Sequence, residues 1–315
     1  MRDAFVRALV ELAKKDKRIE LITGDLGFGV LKPFWEGLPD QFANAGVAEQ
    51  NMISVATGMA LEGRIVFVYS IGNFPTLRCL EQIRNDCAYH NANVKIVCVG
   101  GGFAYGSLGA SHHATEDIAC MRAIPNMTVM APGDAAETDA CVRALVKYPG
   151  AAYLRLGRGG EKKIREKIED FETGKALKAR DGERIAFFST GAIFDEVDVA
   201  CDELKKEGFS PVIYTFPTVK PIDRELIETV AKDFELIVVC EEHNVLGGFG
   251  SAVAEILAEV PQKKVRLLRI GICDNFCVEA GSREYLKKQS GIDAQTIARK
   301  VVLGLNADNT QVQDS

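Results

Sequence analysis

Apolar residues in this chain follow two rhythms that alternate from end to end. Short continuous apolar runs at residues 19–23, 64–69, 94–99, 128–131 and 152–156 read as buried strands. Between them, residues 3–14, 77–90 and 135–147 place apolar side chains three and four apart, the spacing of one helix face. In the first of these the face is Phe5, Leu9 and Leu12. A short apolar piece at 41–45 leads into Gly46, after which Met52, Val55, Ala56, Met59 and Ala60 mark a helix with Glu49 in its first turn. Strand and helix in alternation predict an open parallel sheet covered by helices on both faces. A charged stretch at 161–183 has little periodicity and is expected to connect two domains, with some ordered structure. The alternation then restarts, with strands at 184–189, 212–216, 236–240 and 265–271 and helices at 193–206, 224–232, 250–259, 282–290 and 294–303. The expected fold is therefore α/β, with two open, mostly parallel sheets. The boundaries are a first domain over 1–165, a linker over 166–183, a second domain over 184–305 and a polar tail over 306–315.

Composition narrows the classes. The chain has 315 residues, 47% hydrophobic and 26% charged, which is ordinary for a soluble globular protein and long enough for two domains. A net charge of −6 argues against nucleic acid or an anionic membrane as the main partner. No apolar run reaches the roughly 18 residues of a membrane span. Met1-Arg2-Asp3-Ala4-Phe5 enters a helix directly, so no secretory signal is expected. The nine cysteines are scattered, with Cys273 and Cys277 the nearest pair, and no pair of pairs has metal-site spacing. Such a set fits a reducing cytoplasm, and no residue is assigned as a metal ligand.

Three stretches carry candidate chemistry. Glu49 reads either as an acid complementing the helix dipole or as a buried carboxylate acting on a ligand. The glycine-rich loop at 103–116 holds His112 and His113, two of the chain's four histidines, and loops of that length are usually functional. Arg158 follows a strand end in Arg155-Leu156-Gly157-Arg158-Gly159-Gly160, where ligands of α/β sheets gather. The glycine turn at 247–250, just before a helix, could hold an anion.

The stretch Gly46-Val47-Ala48-Glu49-Gln50-Asn51-Met52 resembles the glutamate motif of the transketolase family of thiamine-diphosphate enzymes. The resemblance continues through Tyr69-Ser70, Ser111-His112-His113, Arg122-Ala123-Ile124-Pro125-Asn126-Met127-Thr128-Val129, Glu241-Glu242-His243-Asn244 and Gly247-Gly248-Phe249-Gly250-Ser251. These matches run in order over nearly the whole chain, and they cover the second half of a full-length transketolase. The resemblance implies that Glu49 bonds the pyrimidine of thiamine diphosphate as a buried acid and activates it. It makes Phe74 the candidate aromatic wall. His112 would hydrogen-bond the donor's oxygens and His113 would help orient substrate. Arg158 and Arg2 would grip the phosphate of a sugar phosphate, for which the planar guanidinium is suited. The family's magnesium–diphosphate motif, Gly-Asp-Gly followed by Asn, is not present as a unit. The resemblance therefore implies one subunit of a split transketolase, with Mg2+ and diphosphate held by a separate polypeptide. The expected assembly is α2β2 around a homodimer core.

Two positions depart from the family pattern. Where the family has a histidine and an aspartate that contact sugar hydroxyls, this chain has Gly100 and Leu108. A branched, deoxy or sulfonated sugar phosphate is one consequence. Other readings left open are the beta subunit of a 2-oxo-acid dehydrogenase, a deoxyxylulose-phosphate-synthase-like enzyme, and a non-catalytic family relic acting as a binding partner.

Overall fold

The computed structural model describes residues 1–261 and 265–306. The first half opens with helix α1 (Arg2–Ala13), strand β1 (Ile19–Thr23), the short helix α2 (Lys32–Gly37), strand β2 (Phe42–Asn44) and helix α3 (Glu49–Leu61). Strand β3 (Ile65–Ile71) follows, then a helical stretch at 77–88 (α4) whose last part, Ile83–Ala88, is a π-helix. Strand β4 (Val94–Val99), helix α5 (Asp117–Ala123), strand β5 (Thr128–Met130), helix α6 (Ala135–Lys147) and strand β6 (Ala152–Leu156) complete it. The second half contains β7 (Leu177–Arg180), β8 (Ile185–Ser189), α7 (Phe194–Lys206), β9 (Val212–Thr215), β10 (Thr218–Lys220) and α8 (Arg224–Asp233). It ends with β11 (Leu236–Asn244), α9 (Phe249–Glu259), β12 (Arg266–Ile272), α10 (Arg283–Gln289) and α11 (Ala294–Asn306).

The strands form a seven-stranded sheet in the order β10-β5-β6-β4-β3-β1-β2 and a five-stranded sheet in the order β12-β11-β8-β9-β7. Each is parallel except for one edge strand, β10 in the first and β7 in the second. The continuous apolar runs behave as their pattern predicts: β1, β4, β6 and β8 are buried at every residue. One apolar layer packs α1 and α6 on a face of the first sheet, through Phe5, Leu9, Cys141 and Leu145. The layer on the other face runs on into the second sheet, joining Met52 and Ile53 to Phe188, Phe216 and Phe249.

Beyond the short helices α2 and α5, which the sequence pattern does not mark, two edge strands differ from the sequence expectation. Residues 177–180 lie within the predicted linker, yet they form edge strand β7, pairing antiparallel with β9. Their alternating, half-exposed positions carry no apolar run, so an edge strand there leaves little hydrophobic signature. Strand β10 comes from the second half of the chain and closes the edge of the first sheet against β5. The polar tail predicted at 306–315 lies, from residue 307 on, outside the described residues.

Candidate active site

The order of strands in the first sheet reverses between β1 and β3, since β2 continues outward from β1 while β4 continues from β3. Ligands of open α/β sheets bind beyond the carboxyl ends of the strands at such a switch point. Gly24 follows β1 there, and Gly72, Asn73 and Phe74 follow β3. Glu49, the first residue of α3, reaches the same place: a Cβ built on Gly24 would lie 3.5 Å from Glu49 Cγ.

Glu49 is only 4% exposed, so the buried-carboxylate reading is the one its placement supports. Its Oε2 accepts a 2.8 Å hydrogen bond from Arg78 Nη1. The Arg78 guanidinium also lies 4.6 Å from the centre of the Phe74 ring, a cation–π distance. Phe74 meets His112 edge to face, with ring centres 5.1 Å apart. His112 in turn faces Tyr105 at 6.4 Å, and Arg158 stacks on Tyr105 at 5.1 Å. The structure thus joins Glu49, Phe74, His112 and Arg158 in one line of contacts. Arg78 and Tyr105 are the two links that sequence reasoning missed. Arg78 has no distinguishing signal in a helix that also carries Arg84. Tyr105 sits in the glycine-rich loop already marked as functional.

Among the described residues, Arg2 is tied to the Arg158 loop only through its neighbour Met1. The chain's first amine bonds Glu161 at 2.9 Å, and Gly157 N–H donates to Met1 Sδ at 3.4 Å. Helix α1 therefore starts against the loop that carries Arg158. Arg2 Nε is buried without a hydrogen-bond partner, and lies 3.6 Å from Asp3 Oδ1.

His113 lies deeper than its neighbour, 4% exposed like Glu49, and its Nδ1 is buried without a hydrogen-bond partner. It meets Phe103 edge to face at 5.2 Å, and its Nε2 is 3.2 Å from the Gly106 carbonyl, to which a protonated Nε2 donates. His112 ends the short 3-10 turn Ala110–His112, and His113 follows it in extended conformation. His112 is the half-exposed one. Burial, and then the charge of neighbouring His113, lower its pKa, so its ring is neutral at neutral pH. Its Nδ1 is 3.0 Å from Ser111 Oγ.

The loop bearing Tyr105 and His112 is fixed at its root by three successive glycines. A Cβ on Gly100 would collide with the ring of Tyr105; one on Gly101 would lie 2.7 Å from Arg155 Nε, and one on Gly102 2.5 Å from Glu242 Cγ. Gly100 and Gly102 also have φ of +96° and +64°, the region that favours glycine. Glu242 comes from β11 in the second half. Its Oε1 accepts the Phe103 N–H at 2.8 Å, and Arg283 bonds both its oxygens. Arg155 is held by Asp117 at 2.8 Å and donates to the carbonyls of Ala114 and Glu242. Burial pushes the Asp117 carboxyl up most, but the charges of Arg155 and His243 and the hydrogen bonds from Arg155 and Tyr153 together outweigh it, and the net direction is down.

The anion reading of the glycine turn at 247–250 is corrected. The free N–H groups at the start of α9 are taken by the chain's own Glu241, which accepts from Phe249 at 2.7 Å and Gly250 at 2.8 Å. Among the described residues, no three His, Cys, Asp or Glu side chains gather as a metal site would require. No helix among them is long and apolar enough to cross a membrane.

A buried acid at a sheet switch point is thus joined through Phe74 and His112 to Arg158. Residues 1–160 match the transketolase pyrimidine-binding domain, and residues 174–297 match the transketolase C-terminal domain. The chain belongs to the transketolase family. It is 42% identical over 305 residues to a putative transketolase C-terminal section of Methanocaldococcus jannaschii, covering 96% of this chain and 95% of the relative. It is 37% identical to one subunit of an apulose-4-phosphate transketolase of Phocaeicola vulgatus, covering 95% of each. A solved split-gene transketolase, described as an inactive beta4 tetramer, superposes with a TM-score of 0.88 at 34% identity, covering 97% of this chain and 98% of that one. The chain is accordingly a transferase subunit of the split transketolase kind.

Proposed function

We propose that this chain supplies the pyrimidine half of a thiamine-diphosphate site and the substrate contacts for ketol transfer between sugar phosphates. The observation that carries the reading is the unbroken line from buried Glu49 through Phe74 and His112 to Arg158. When bound, the coenzyme supplies a nucleophilic carbon that takes up and releases the two-carbon unit. Glu49 hydrogen-bonds the pyrimidine and moves a proton at its ring nitrogen. Its burial strengthens that bond, because water does not screen it. Arg78, whose side chain is 46% exposed, is the group that must release Glu49. Phe74 walls the ring. His112 is neutral; with the Ser111 hydroxyl donating to Nδ1, its Nε2–H is left to bond a substrate oxygen. Arg158 and Arg2 hold the phosphate.

The diphosphate and its Mg2+ are assigned to a second polypeptide, in an α2β2 assembly around a homodimer of this chain. Two facts support this. The matched domains are the pyrimidine-binding and C-terminal ones. The beta-only tetramer of the related split transketolase is described as inactive. A cytoplasmic location fits the nine free cysteines. Gly100 and Leu108 favour a sugar phosphate other than xylulose or sedoheptulose phosphate, and one relative is named for apulose-4-phosphate.

The test is ketol transfer by this chain mixed with its Gly-Asp-Gly-bearing partner. Removing a positioned acid–base group costs about 10² or more in rate, so Glu49→Ala is expected to lower kcat by that factor. A rate within a few-fold of wild type overturns the mechanism.

A further inference from the structure

The side chain missing at position 100 is replaced by one from position 105. Gly100 has no Cβ, and the ring of Tyr105 fills the space where one would stand. This placement is built in rather than incidental. The two glycines that follow are equally filled, by Arg155 and Glu242, which are 5% and 2% exposed. Neither can swing away, so the backbone that turns Tyr105 over Gly100 has little freedom. The ring stands between His112 at 6.4 Å and Arg158 at 5.1 Å.

We propose that Tyr105 determines substrate specificity, as the platform crossed by the sugar carbons between the reacting carbonyl and the phosphate. The inference rests on the functional reading above, in which His112 bonds the reacting end and Arg158 the phosphate. An aromatic face packs well against the C–H groups of a sugar. It offers no partner to a hydroxyl directed at it, and a buried hydroxyl without a partner is penalised. Leu108, 53% exposed on the same loop, is likewise apolar where the family resemblance implies a carboxylate. The substrate class selected is a sugar phosphate that lacks, or turns away, a hydroxyl on this stretch.

The test uses the assembled complex with thiamine diphosphate and two acceptors differing by one hydroxyl, ribose 5-phosphate and 2-deoxyribose 5-phosphate. Wild type is expected to favour the deoxy sugar in kcat/KM. Tyr105→Ala is expected to move that ratio about tenfold toward ribose 5-phosphate, through KM, the scale of discrimination by one small group in an apolar pocket. Tyr105→Phe keeps the ring and is expected to keep the ratio. Because the ratio compares two sugars on one protein, partial misfolding of a variant cancels. An unchanged ratio in Tyr105→Ala, or an equal loss for both sugars, overturns the proposal. If wild type transfers no ketol unit, the reading of the reaction fails. The platform is then judged by thermal shift of the complex with each sugar phosphate. There the same change of preference supports it, and binding without preference, or no binding, overturns it.

Discussion

Arg78 donates a 2.8 Å hydrogen bond to Glu49 while its guanidinium lies 4.6 Å from the centre of the Phe74 ring. One arginine thus occupies both groups assigned to the coenzyme's pyrimidine, and coenzyme binding must exchange this partner for another. A half-exposed ion pair of this kind contributes about 0.2–1 kcal/mol. Arg78→Ala is therefore expected to tighten thiamine diphosphate binding by roughly 1.5- to 5-fold. A coenzyme titration of the assembled complex checks this, and weaker binding would show that Arg78 helps hold the coenzyme.

His112 titrates below the ordinary histidine value of 6.5, because burial and then His113 disfavour its charged form. Its neutral ring is therefore kept into mildly acid solution, and protonation there would take the Nδ1 lone pair that accepts from Ser111, the bond that orients the ring toward substrate. The acid limb of a kcat/KM profile is expected below pH 6.5 for wild type and absent for His112→Gln. The same limb in both proteins would assign the titration to another group.

Arg283 neutralises buried Glu242, bonding Oε2 through Nη2 at 2.5 Å and also donating to the Ala192 carbonyl at 3.0 Å. Arg283→Met strands the carboxylate, and breaking a buried pair costs about 3–5 kcal/mol. Burial pushes the Glu242 carboxyl up, yet the charge and bonds of Arg283 bring it below its ordinary 4.5. The pair's contribution is then complete above that value and is lost as pH falls through the lower folded one. Denaturant melts of both proteins are expected to converge in acid; a constant gap at every pH would point to lost packing alone.

Lys95 lies fully buried at the start of β4 and donates to the carbonyls of Tyr148 (2.7 Å) and Gly150. Burial pulls its amine down to about 7 from 10.5. Between those values the unfolded chain holds more protons than the folded one, so stability rises with pH. Lys95→Met is expected to lose about 1–3 kcal/mol for each carbonyl left without a partner, and to lose that slope. Parallel profiles for the two proteins would mean that Lys95 stays charged.

The sheets were legible because β1, β4, β6 and β8 are buried on both faces and so are apolar without interruption. Edge strands β7 and β10 were not, since their pairing depends on distant strands rather than on a local pattern. Among the site residues, Glu49 and Arg158 were marked by their place beside predicted element ends. His112 and His113 look alike in sequence; only the fold shows that one is half-exposed beside Phe74 and the other buried against Phe103. The Gly100-Gly101-Gly102 run reads as a turn. That three side chains from three places fill it is a tertiary fact that no local pattern encodes.

The central claim is that coenzyme is shared between this chain and a second one. Titrating thiamine diphosphate with Mg2+ into this chain, into its partner and into their mixture tests it most directly. The account expects saturable binding by the mixture only, abolished by Glu49→Ala. Saturation of this chain alone, or undiminished binding by the Glu49→Ala mixture, would contradict it.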